Sequence, residues 1–270
     1  MKPRSQSGAI TLDHRGMDIR ISGASKQYEN SGRTLQVLSG VDLHIQAGEF
    51  VSIVGRSGCG KSTLLKAIAG LESIDDGSIL VGETPATAGR EDVGIMLQMP
   101  ALMPWRTVLA NVLLPYVIQR GNKSEGLVRA DEALELVGLS AFRDAYPWQL
   151  SGGMQQRVSL ARLLVRRPTV QLMDEPFGAL DEFTRERLNL EYSNVVQDQE
   201  GTTVVFVTHS IAEAVLMSDR VVVMGAKPGR ILGEVLVEIP RPRSPKIINT
   251  PEFIAASASI RGMLDSAGGE

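Results

Sequence analysis

Apolar residues recur along the chain in short runs, separated by stretches with helical spacing. Four runs have the length of strands buried on both faces and end at turn or polar residues: 50–54, 170–173, 203–207 and 221–224. Two further segments, 62–69 and 155–165, place apolar residues on one face of a helix. Because strands that alternate with helices build parallel sheets, this pattern predicts an α/β fold with a mostly parallel sheet.

The middle of the chain, from about residue 100 to 166, contains no strand-like run. Its most regular stretch, 126–137, carries four apolar residues at helical spacing, namely Leu127, Ala130, Leu134 and Val137. We therefore predict a helical subdomain inserted into the α/β domain.

The two ends differ in composition from the central region at 18–225. Residues 1–17 are polar and predict a flexible N-terminal tail. Beyond residue 225, proline and glycine border a short strand-like stretch at 231–239, and the last residues are small and polar. We predict that 226–270 forms a peripheral C-terminal extension.

Composition and charge exclude several classes of protein. The 28 basic and 31 acidic residues give a net charge of −3, so charge favours neither nucleic acid nor an anionic membrane surface as a partner. The single cysteine, Cys59, excludes an internal disulfide and a cysteine-based metal site, and it fits a reducing compartment. Residues 1–17 contain no apolar run long enough for a signal peptide or a membrane span, which predicts a cytosolic protein whose membrane role is peripheral.

A glycine-rich run lies between the first predicted strand and the first predicted helix. It matches the phosphate-loop pattern at every position: Gly55, Arg56, Ser57, Gly58, Cys59, Gly60, Lys61 and Ser62. Glycines let successive backbone N–H groups point at phosphate oxygens, and the helix N-terminus adds a positive dipole. Lys61 is predicted to bind the β and γ phosphates, Ser62 to bind Mg²⁺ and Thr63 to contact the α-phosphate. The alternative is a glycine-rich turn that binds no nucleotide.

Polar residues also follow two later strands. The run 170–173 ends in Asp174 and Glu175, at the edge where open α/β sheets hold their ligands. Asp174 is predicted to hold Mg²⁺ through its water shell, and Glu175 to orient the attacking water or accept its proton. His209 ends another strand, where its imidazole can contact a γ-phosphate. The alternatives are a solvated acidic turn and a histidine with a local polar role.

Ser151, Gly152 and Gly153 precede the predicted helix 155–165. A serine followed by two glycines suits a helix cap that also presents backbone N–H groups to an anion. A cap alone is the alternative. A second anion site far from the first loop would serve a nucleotide bound by another molecule.

In this order, the phosphate loop, the run 150–154, the acidic strand end, the run 179–181 and His209 resemble the ATP-binding subunits of ABC transporters over residues 18–225. The resemblance implies an α/β P-loop NTPase core with a mostly parallel sheet, the helical subdomain and a small antiparallel β region. It also implies ATP hydrolysis with Mg²⁺. In that family two ATPase domains enclose two nucleotides head to tail, so the expected assembly is a homodimer or a pair with a homologous subunit.

The same resemblance implies roles for single residues. Tyr28 would stack on adenine, and Gln98 would sense Mg²⁺ and the attacking water. Contacts to ATP bound by the partner subunit are implied for Ser151, Gly152, Gly153, Gln155 and Asp181. Met154 stands where the family most often has glutamine, and the neighbouring residues make this departure tolerable.

A narrower similarity, to bacterial importers of nitrate, sulfonates and taurine, rests on 102–112 and 226–230. It implies uptake of a small anionic solute through a separate transmembrane permease, with a solute-binding protein as an indirect partner. The subunit would act at the cytoplasmic face of the inner membrane. Trp105, if exposed, would anchor a permease loop, whereas the alternative for Pro104 and Trp105 is a packed turn.

Three other functions are alternatives to the importer. A soluble ABC-type ATPase, such as one that assembles iron–sulfur clusters, would share the ATP chemistry without a permease. An ATPase acting on nucleic acid should carry a coiled coil, a zinc module, a second ATPase half or a basic patch, and none is evident. A kinase or GTPase would leave the run 150–155 without a role.

Overall fold

The structure is a computed structural model that describes residues 16–30, 33–119, 121–198 and 201–266. Of the N-terminal tail predicted for residues 1–17, only Gly16 and Met17 fall within the described residues.

The strands in chain order are β1 (Ile19–Asn30), β2 (Arg33–Ile45), β3 (Phe50–Gly55), β4 (Asp76–Val81), β5 (Thr84–Pro85), β6 (Val93–Met96), β7 (Val170–Asp174), β8 (Thr203–Thr208), β9 (Arg220–Gly225) and β10 (Arg230–Leu236). The α-helices are α1 (Lys61–Ile68), α2 (Val108–Val112), α3 (Leu114–Ile118), α4 (Lys123–Leu136), α5 (Gly152–Leu164), α6 (Glu182–Asp198), α7 (Ile211–Met217) and α8 (Pro251–Ser266). Short 3₁₀ turns lie at Ser140–Phe142, Pro147–Gln149 and Pro245–Asn249.

The larger sheet has the order β10-β9-β3-β8-β7-β6. Every neighbouring pair in it is parallel except β9 with β10, which is antiparallel. β3, β7 and β8 are buried along their whole length, because helices or the second sheet cover both faces. The predicted parallel sheet is confirmed, and each of the four predicted strands lies within one residue of the observed bounds at either end.

The smaller sheet, with the order β2-β1-β4-β5, is antiparallel and is the small antiparallel β region that the resemblance implied. Together with α1 it encloses an apolar core against the larger sheet, which includes Ile19, Ile53 and Leu64. This arrangement places α1, and the loop that precedes it, between the two sheets.

The described part of residues 100–166 contains helices and 3₁₀ turns and no strand. α5 packs against α2 and α4, and the contact buries Val112, Leu134 and Val158. The observed α4 includes most of the predicted helical stretch 126–137. The described helices α2 to α5 of this region thus pack against one another.

The C-terminal part of the chain is more integrated than its composition indicated. β10 extends the larger sheet beyond β9, and α8 packs against α7, β9 and β10. Phe253 and Ile260 of α8 are buried in a third apolar cluster. β10 and α8 are thus part of the folded domain rather than a peripheral appendage, because they cover the apolar face of α7 and the sheet.

Candidate functional site

The predicted phosphate loop connects β3 to α1. Gly58 and Gly60 have φ angles of 79° and 92°, in the left-handed region that glycine adopts without steric cost. A Cβ atom on Gly55 would lie 2.5 Å from the Met224 carbonyl oxygen. Glycine is therefore required at these positions by the close curl of the backbone and by the strand packed beside it.

The Lys61 ammonium lies within the curl of this loop. Its Nζ donates to the carbonyl oxygens of Gly55, at 2.8 Å, and Arg56, at 3.2 Å. Lys61 is only 6% exposed, so its positive charge is concentrated in a confined space where an anion would be attracted. Cys59 is fully buried with its Sγ 3.7 Å from Lys61 Nζ, which fits its expected role as a space-filling residue.

Ser62 and Asp174 meet beside Lys61 although they are far apart in sequence. The Ser62 hydroxyl donates to Asp174 Oδ1 at 2.9 Å. Burial raises the pKa of the Asp174 carboxyl, and the hydrogen bond from Ser62 opposes that rise. Hydroxyl and carboxylate oxygens are ligands that Mg²⁺ accepts, so the residues present fit this ion.

The three residues predicted to be catalytic converge at the carboxyl edge of the larger sheet. Glu175 Oε2 lies 3.5 Å from Gln98 Nε2 and 3.3 Å from His209 Nδ1. The residues meet because they follow β6, β7 and β8, which are neighbouring parallel strands. Glu175 has a φ of 47°, which is unusual for a non-glycine residue and is more common at functional sites.

Sequence reasoning missed Glu213, which organises the turn that carries His209. The buried Glu213 carboxylate accepts hydrogen bonds from the Thr208 hydroxyl and from Asn189 Nδ2. The Thr208 hydroxyl in turn accepts the Ser210 N–H at 3.0 Å. Both neighbours of His209 are therefore held by one network. Ser210 and Glu213 have the spacing of a helix capping box, a signal that could have drawn attention to this turn.

Tyr28 lies near the start of α1. Lys26 Nζ is 5.4 Å from the Tyr28 ring centroid and also pairs with Glu72 and Asp75. Burial raises the pKa of the half-buried Tyr28, and a hydrogen bond with Thr63 opposes the rise. The aromatic ring is thus brought next to the helix that the phosphate loop begins.

Ser151 caps α5, because its Oγ accepts the Met154 N–H at 3.3 Å. Ser151 and Gly152 are exposed, while Gly153 packs so closely on the loop before α6 that a Cβ there would lie 3.1 Å from Leu180 Cδ2. This exposed helix N-terminus presents backbone N–H groups to the surface.

Gln155 and Asp181 are both engaged within the chain. The Gln155 amide donates to the carbonyl oxygens of Pro147 and Leu150, at 3.0 and 3.3 Å, so it fixes the segment before Ser151. Asp181 Oδ1 accepts the Thr184 N–H at 2.9 Å in the first turn of α6, and this bond lowers the pKa of the carboxyl. Through these contacts, both side chains support backbone near the exposed start of α5.

A family model described as ABC transporter matches residues 38–178 of the chain. The chain belongs to the ABC transporter family. The matched range contains the phosphate loop, Gln98, Ser151 and Glu175. Tyr28, Asp181 and His209 lie outside it.

Several related proteins align with this chain over most of its length. An uncharacterized ABC transporter ATP-binding protein of Methanocaldococcus jannaschii is 43% identical over 241 residues, covering 89% of this chain and 90% of that protein. The aliphatic sulfonates import ATP-binding protein SsuB of Rhodopseudomonas palustris strain BisA53 is 47% identical over 229 residues, covering 85% and 78%. SsuB of Bacillus cereus strain ATCC 10987 is 42% identical over 228 residues, covering 84% and 89%.

A solved ATP-binding cassette has the same fold. Its dimeric structure, in a post-hydrolysis state bound to ADP and Pi, superposes with a TM-score of 0.75 at 33% identity and covers 82% of this chain and 100% of its own. The ABC ATPase fold is thereby confirmed for this chain, which binds ATP and hydrolyses it.

Among the described residues, no helix combines the length and apolar character needed to cross a bilayer.

Proposed function

We propose that this ABC ATPase energises a bacterial importer for a small anionic solute of the nitrate, sulfonate or taurine class, through a separate permease. The observation that carries the proposal is a braced segment that joins Gln98 of the ATP site to the exposed Trp105. Relatives that are named for aliphatic sulfonate import support the solute class. The subunit acts at the cytoplasmic face of the inner membrane, and a solute-binding protein delivers the solute to the permease.

The phosphate loop supplies the binding energy for ATP in this proposal. The backbone from Gly55 to Ser62 and Thr63 surrounds the phosphates, Lys61 provides the positive charge and Tyr28 stacks on the adenine. Ser62, Asp174 and Gln98 hold Mg²⁺, which neutralises phosphate charge when it is bound. The convergence of Ser62 and Asp174 supports this assignment.

Glu175 is the base in the proposed hydrolysis. As the oxygen of a water attacks the γ-phosphorus and ADP leaves, the Glu175 carboxylate accepts the proton that the water loses. Gln98 and His209 hold this carboxylate and the water in line with the phosphate. Their distances of 3.5 and 3.3 Å to Glu175 Oε2 support a shared role.

Two subunits complete each site. The exposed Ser151, with the backbone of Gly152 and Gly153, contacts the γ-phosphate of ATP bound by the partner, and Asp181 transmits the state of one site to the other. Gln155 supports this surface by holding the backbone before Ser151. The dimeric form of the structurally similar cassette supports the arrangement, and the second subunit is a copy of this chain or a homologue.

The segment between Gln98 and Trp105 is braced at its start by α5. Arg162 donates to the carbonyl oxygens of Pro100 and Ala101, at 2.7 and 2.9 Å, and Ser159 donates to Pro100 at 3.3 Å. Ser151 caps the start of the same helix. The segment and the surface that contacts the partner's nucleotide are therefore attached to one helix, α5. Movement of α5 upon dimer closure therefore moves this segment.

The end of the segment is braced by Asn111, which is fully buried in α2. Its carboxamide accepts the Met103 N–H at 2.7 Å and lies within 3.1 Å of the carbonyl oxygens of Met103, Arg106 and Thr107. The loop held in this way leaves Trp105 71% exposed. A large aromatic side chain on a fixed loop is a suitable anchor for a partner protein, and we assign the permease to it.

Co-purification from membranes of the native host tests the proposal. We expect the tagged chain to recover a permease with several membrane spans, and Trp105→Ala to lose it while keeping the ATPase activity of the isolated subunit. Trp148→Ala is the matched control, since Trp148 is 66% exposed. Recovery of soluble partners alone, with the ATPase intact, would replace the importer with a soluble assembly ATPase.

The solute is tested separately by uptake into cells that carry or lack the gene. We expect loss of uptake for one of nitrate, taurine or an alkanesulfonate, and restoration by the wild-type chain but not by Glu175→Gln. Unchanged uptake of all three would contradict the proposed solute class without affecting the assignment of the permease.

A further inference from the structure

The turn between β9 and β10, residues 226–229, lies directly behind the phosphate loop. Gly229 N–H donates to the Val37 carbonyl at 2.8 Å, and Ser39 N–H donates to the Gly229 carbonyl at 3.0 Å. These bonds form a parallel bridge between Gly229 and Leu38 of β2. The turn thus connects the larger sheet to the smaller sheet at the position of the phosphate loop.

Gly229 approaches the loop backbone more closely than any other residue type could. A Cβ atom there would lie 2.3 Å from the Cys59 carbonyl oxygen and 2.7 Å from the Val37 carbonyl oxygen. Both are backbone atoms, so a side chain cannot be accommodated by the rotation of a neighbouring side chain. Any substitution must displace the phosphate loop, β2 or the turn itself.

Leu38 packs against Gly60, the next residue of the phosphate loop. Leu38 is fully buried, and its Cδ2 would lie 2.7 Å from a Cβ on Gly60 and 3.2 Å from a Cβ on Gly229. Gly60 immediately precedes Lys61, the residue whose ammonium lies within the loop. The backbone of Cys59 and Gly60 is therefore supported from behind by Gly229 and Leu38 together.

We propose that Gly229 is a positioning residue for ATP binding, acting through the backbone of Cys59. Displacement of that backbone changes the direction of the loop N–H groups that receive the phosphates and the position of Lys61. The turn at 226–229 is accordingly a structural part of the nucleotide site. The inference rests on the assignment of 55–62 as the ATP phosphate loop.

Equilibrium binding of ATP and steady-state ATPase kinetics test this role. In Gly229→Ala we expect the dissociation constant and KM for ATP to rise by about tenfold or more, with a smaller change in kcat. The reason is that the weakened phosphate contacts are made in both the ground state and the transition state. Binding is measured well below the melting temperature of each variant. A merely structural role would lower the melting temperature and leave the dissociation constant unchanged, which would overturn the proposal.

Gly262→Ala is the matched control. It is the same substitution in α8, where an added Cβ has nothing within 4 Å, so we expect wild-type affinity. If Gly229→Ala does not fold, Leu38→Val is compared with Leu43→Val, which alters a buried leucine of the same strand. Weaker ATP binding in Leu38→Val alone supports the proposal, and wild-type binding in Leu38→Val overturns it.

Lys61→Ala separates this inference from the loop assignment. Loss of ATP binding in Lys61→Ala together with normal binding in Gly229→Ala would overturn the role of Gly229 and leave the phosphate loop in place. Normal ATP binding in Lys61→Ala would instead contradict the assignment of the loop itself.

Discussion

At the scale of single residues, we propose that Glu175 is the position at which binding and hydrolysis of ATP can be separated. Its carboxylate is held by Gln98 and His209, while the phosphates are assigned to the loop before α1. A glutamine at this position has the same size but is a poor base. Substitution should therefore remove proton transfer without removing the contacts that bind ATP.

We predict that Glu175→Gln lowers kcat by about 10²–10⁴-fold, because general-base catalysis contributes that much, and leaves the affinity for ATP near the wild-type value. Single-turnover assays and equilibrium binding measure the two quantities. Glu83→Gln, which neutralises an exposed carboxylate in the turn between β4 and β5, is the control and should behave as wild type. Near-normal turnover in Glu175→Gln would remove Glu175 from its assigned role.

Glu213 gives the protein a pH-dependent stability that follows from its burial. Burial raises the pKa of this carboxyl above its ordinary value of 4.5, and hydrogen bonds from Thr208 and Asn189 oppose the rise, as do the charges of Arg185 and His209. A carboxyl with a raised pKa in the folded state contributes stability below its unfolded pKa. That stability is lost as the pH rises through the folded pKa.

We predict that Glu213→Gln becomes more stable relative to wild type as the pH is raised from about 4.5 to about 8, because the variant has no buried carboxyl to ionise. Urea unfolding of both proteins across this range measures the difference. Glu83→Gln should show no such trend, since that carboxylate is exposed. Parallel stability curves for wild type and Glu213→Gln would contradict the prediction.

At the scale of secondary structure, α8 joins the C-terminal part of the chain to α7. Ile260 is fully buried in the contact, whereas Ile254 in the same helix is 57% exposed. We predict that Ile260→Ala lowers the free energy of unfolding by about 2–5 kcal/mol through lost burial and a residual cavity. Ile254→Ala should change it by less than about 0.5 kcal/mol. Urea unfolding measures both, and equal effects would show that α8 is not docked as described.

The strands of the larger sheet could be predicted because burial on both faces requires continuous apolar runs. β1 is half-buried, so Ile19 and Ile21 alternate with polar residues, and irregular pairing with β2 interrupts that alternation. The antiparallel region was therefore implied only by the resemblance to ABC-transporter ATPases, and the apolar pattern did not locate its strands. α8 was missed because small residues occupy 255–259, which conceals the spacing of Phe253 and Ile260.

The convergence of three predicted site residues at one edge of the larger sheet was predictable for a topological reason. Gln98, Glu175 and His209 each follow a strand of one parallel sheet, so their meeting follows from the strand pattern. The inward direction of the Gln155 amide was not predictable, since it depends on a 3₁₀ turn at Pro147–Gln149. Glu213 was missed because its partner Asn189 lies on another helix.

At the scale of the whole molecule, the exposed N-terminus of α5 predicts how two subunits associate. In a Glu175→Gln background, ATP should produce a stable dimer, because we propose that Ser151 and the following glycines contact the partner's nucleotide. Adding Ser151→Arg should abolish that dimer by steric clash while leaving ATP binding by the monomer unchanged.

Light scattering after size-exclusion chromatography measures the mass in each case. Ser140→Arg, which places the same charge on another exposed serine of the helical subdomain, serves as the control and should still dimerise. A stable ATP-dependent dimer of the Ser151→Arg double variant would refute the contact between subunits.

The way Asn111 holds its loop has a consequence for how such a subunit can diversify. The four hydrogen bonds between the carboxamide and Met103, Arg106 and Thr107 all involve backbone atoms, so they do not depend on the side chains that the loop displays. Pro104 and Trp105 can be exchanged during evolution, or by an engineer, without rebuilding the frame beneath them. In the proposed importer, changes at these exposed side chains alone would therefore fit the same ATPase to a different permease.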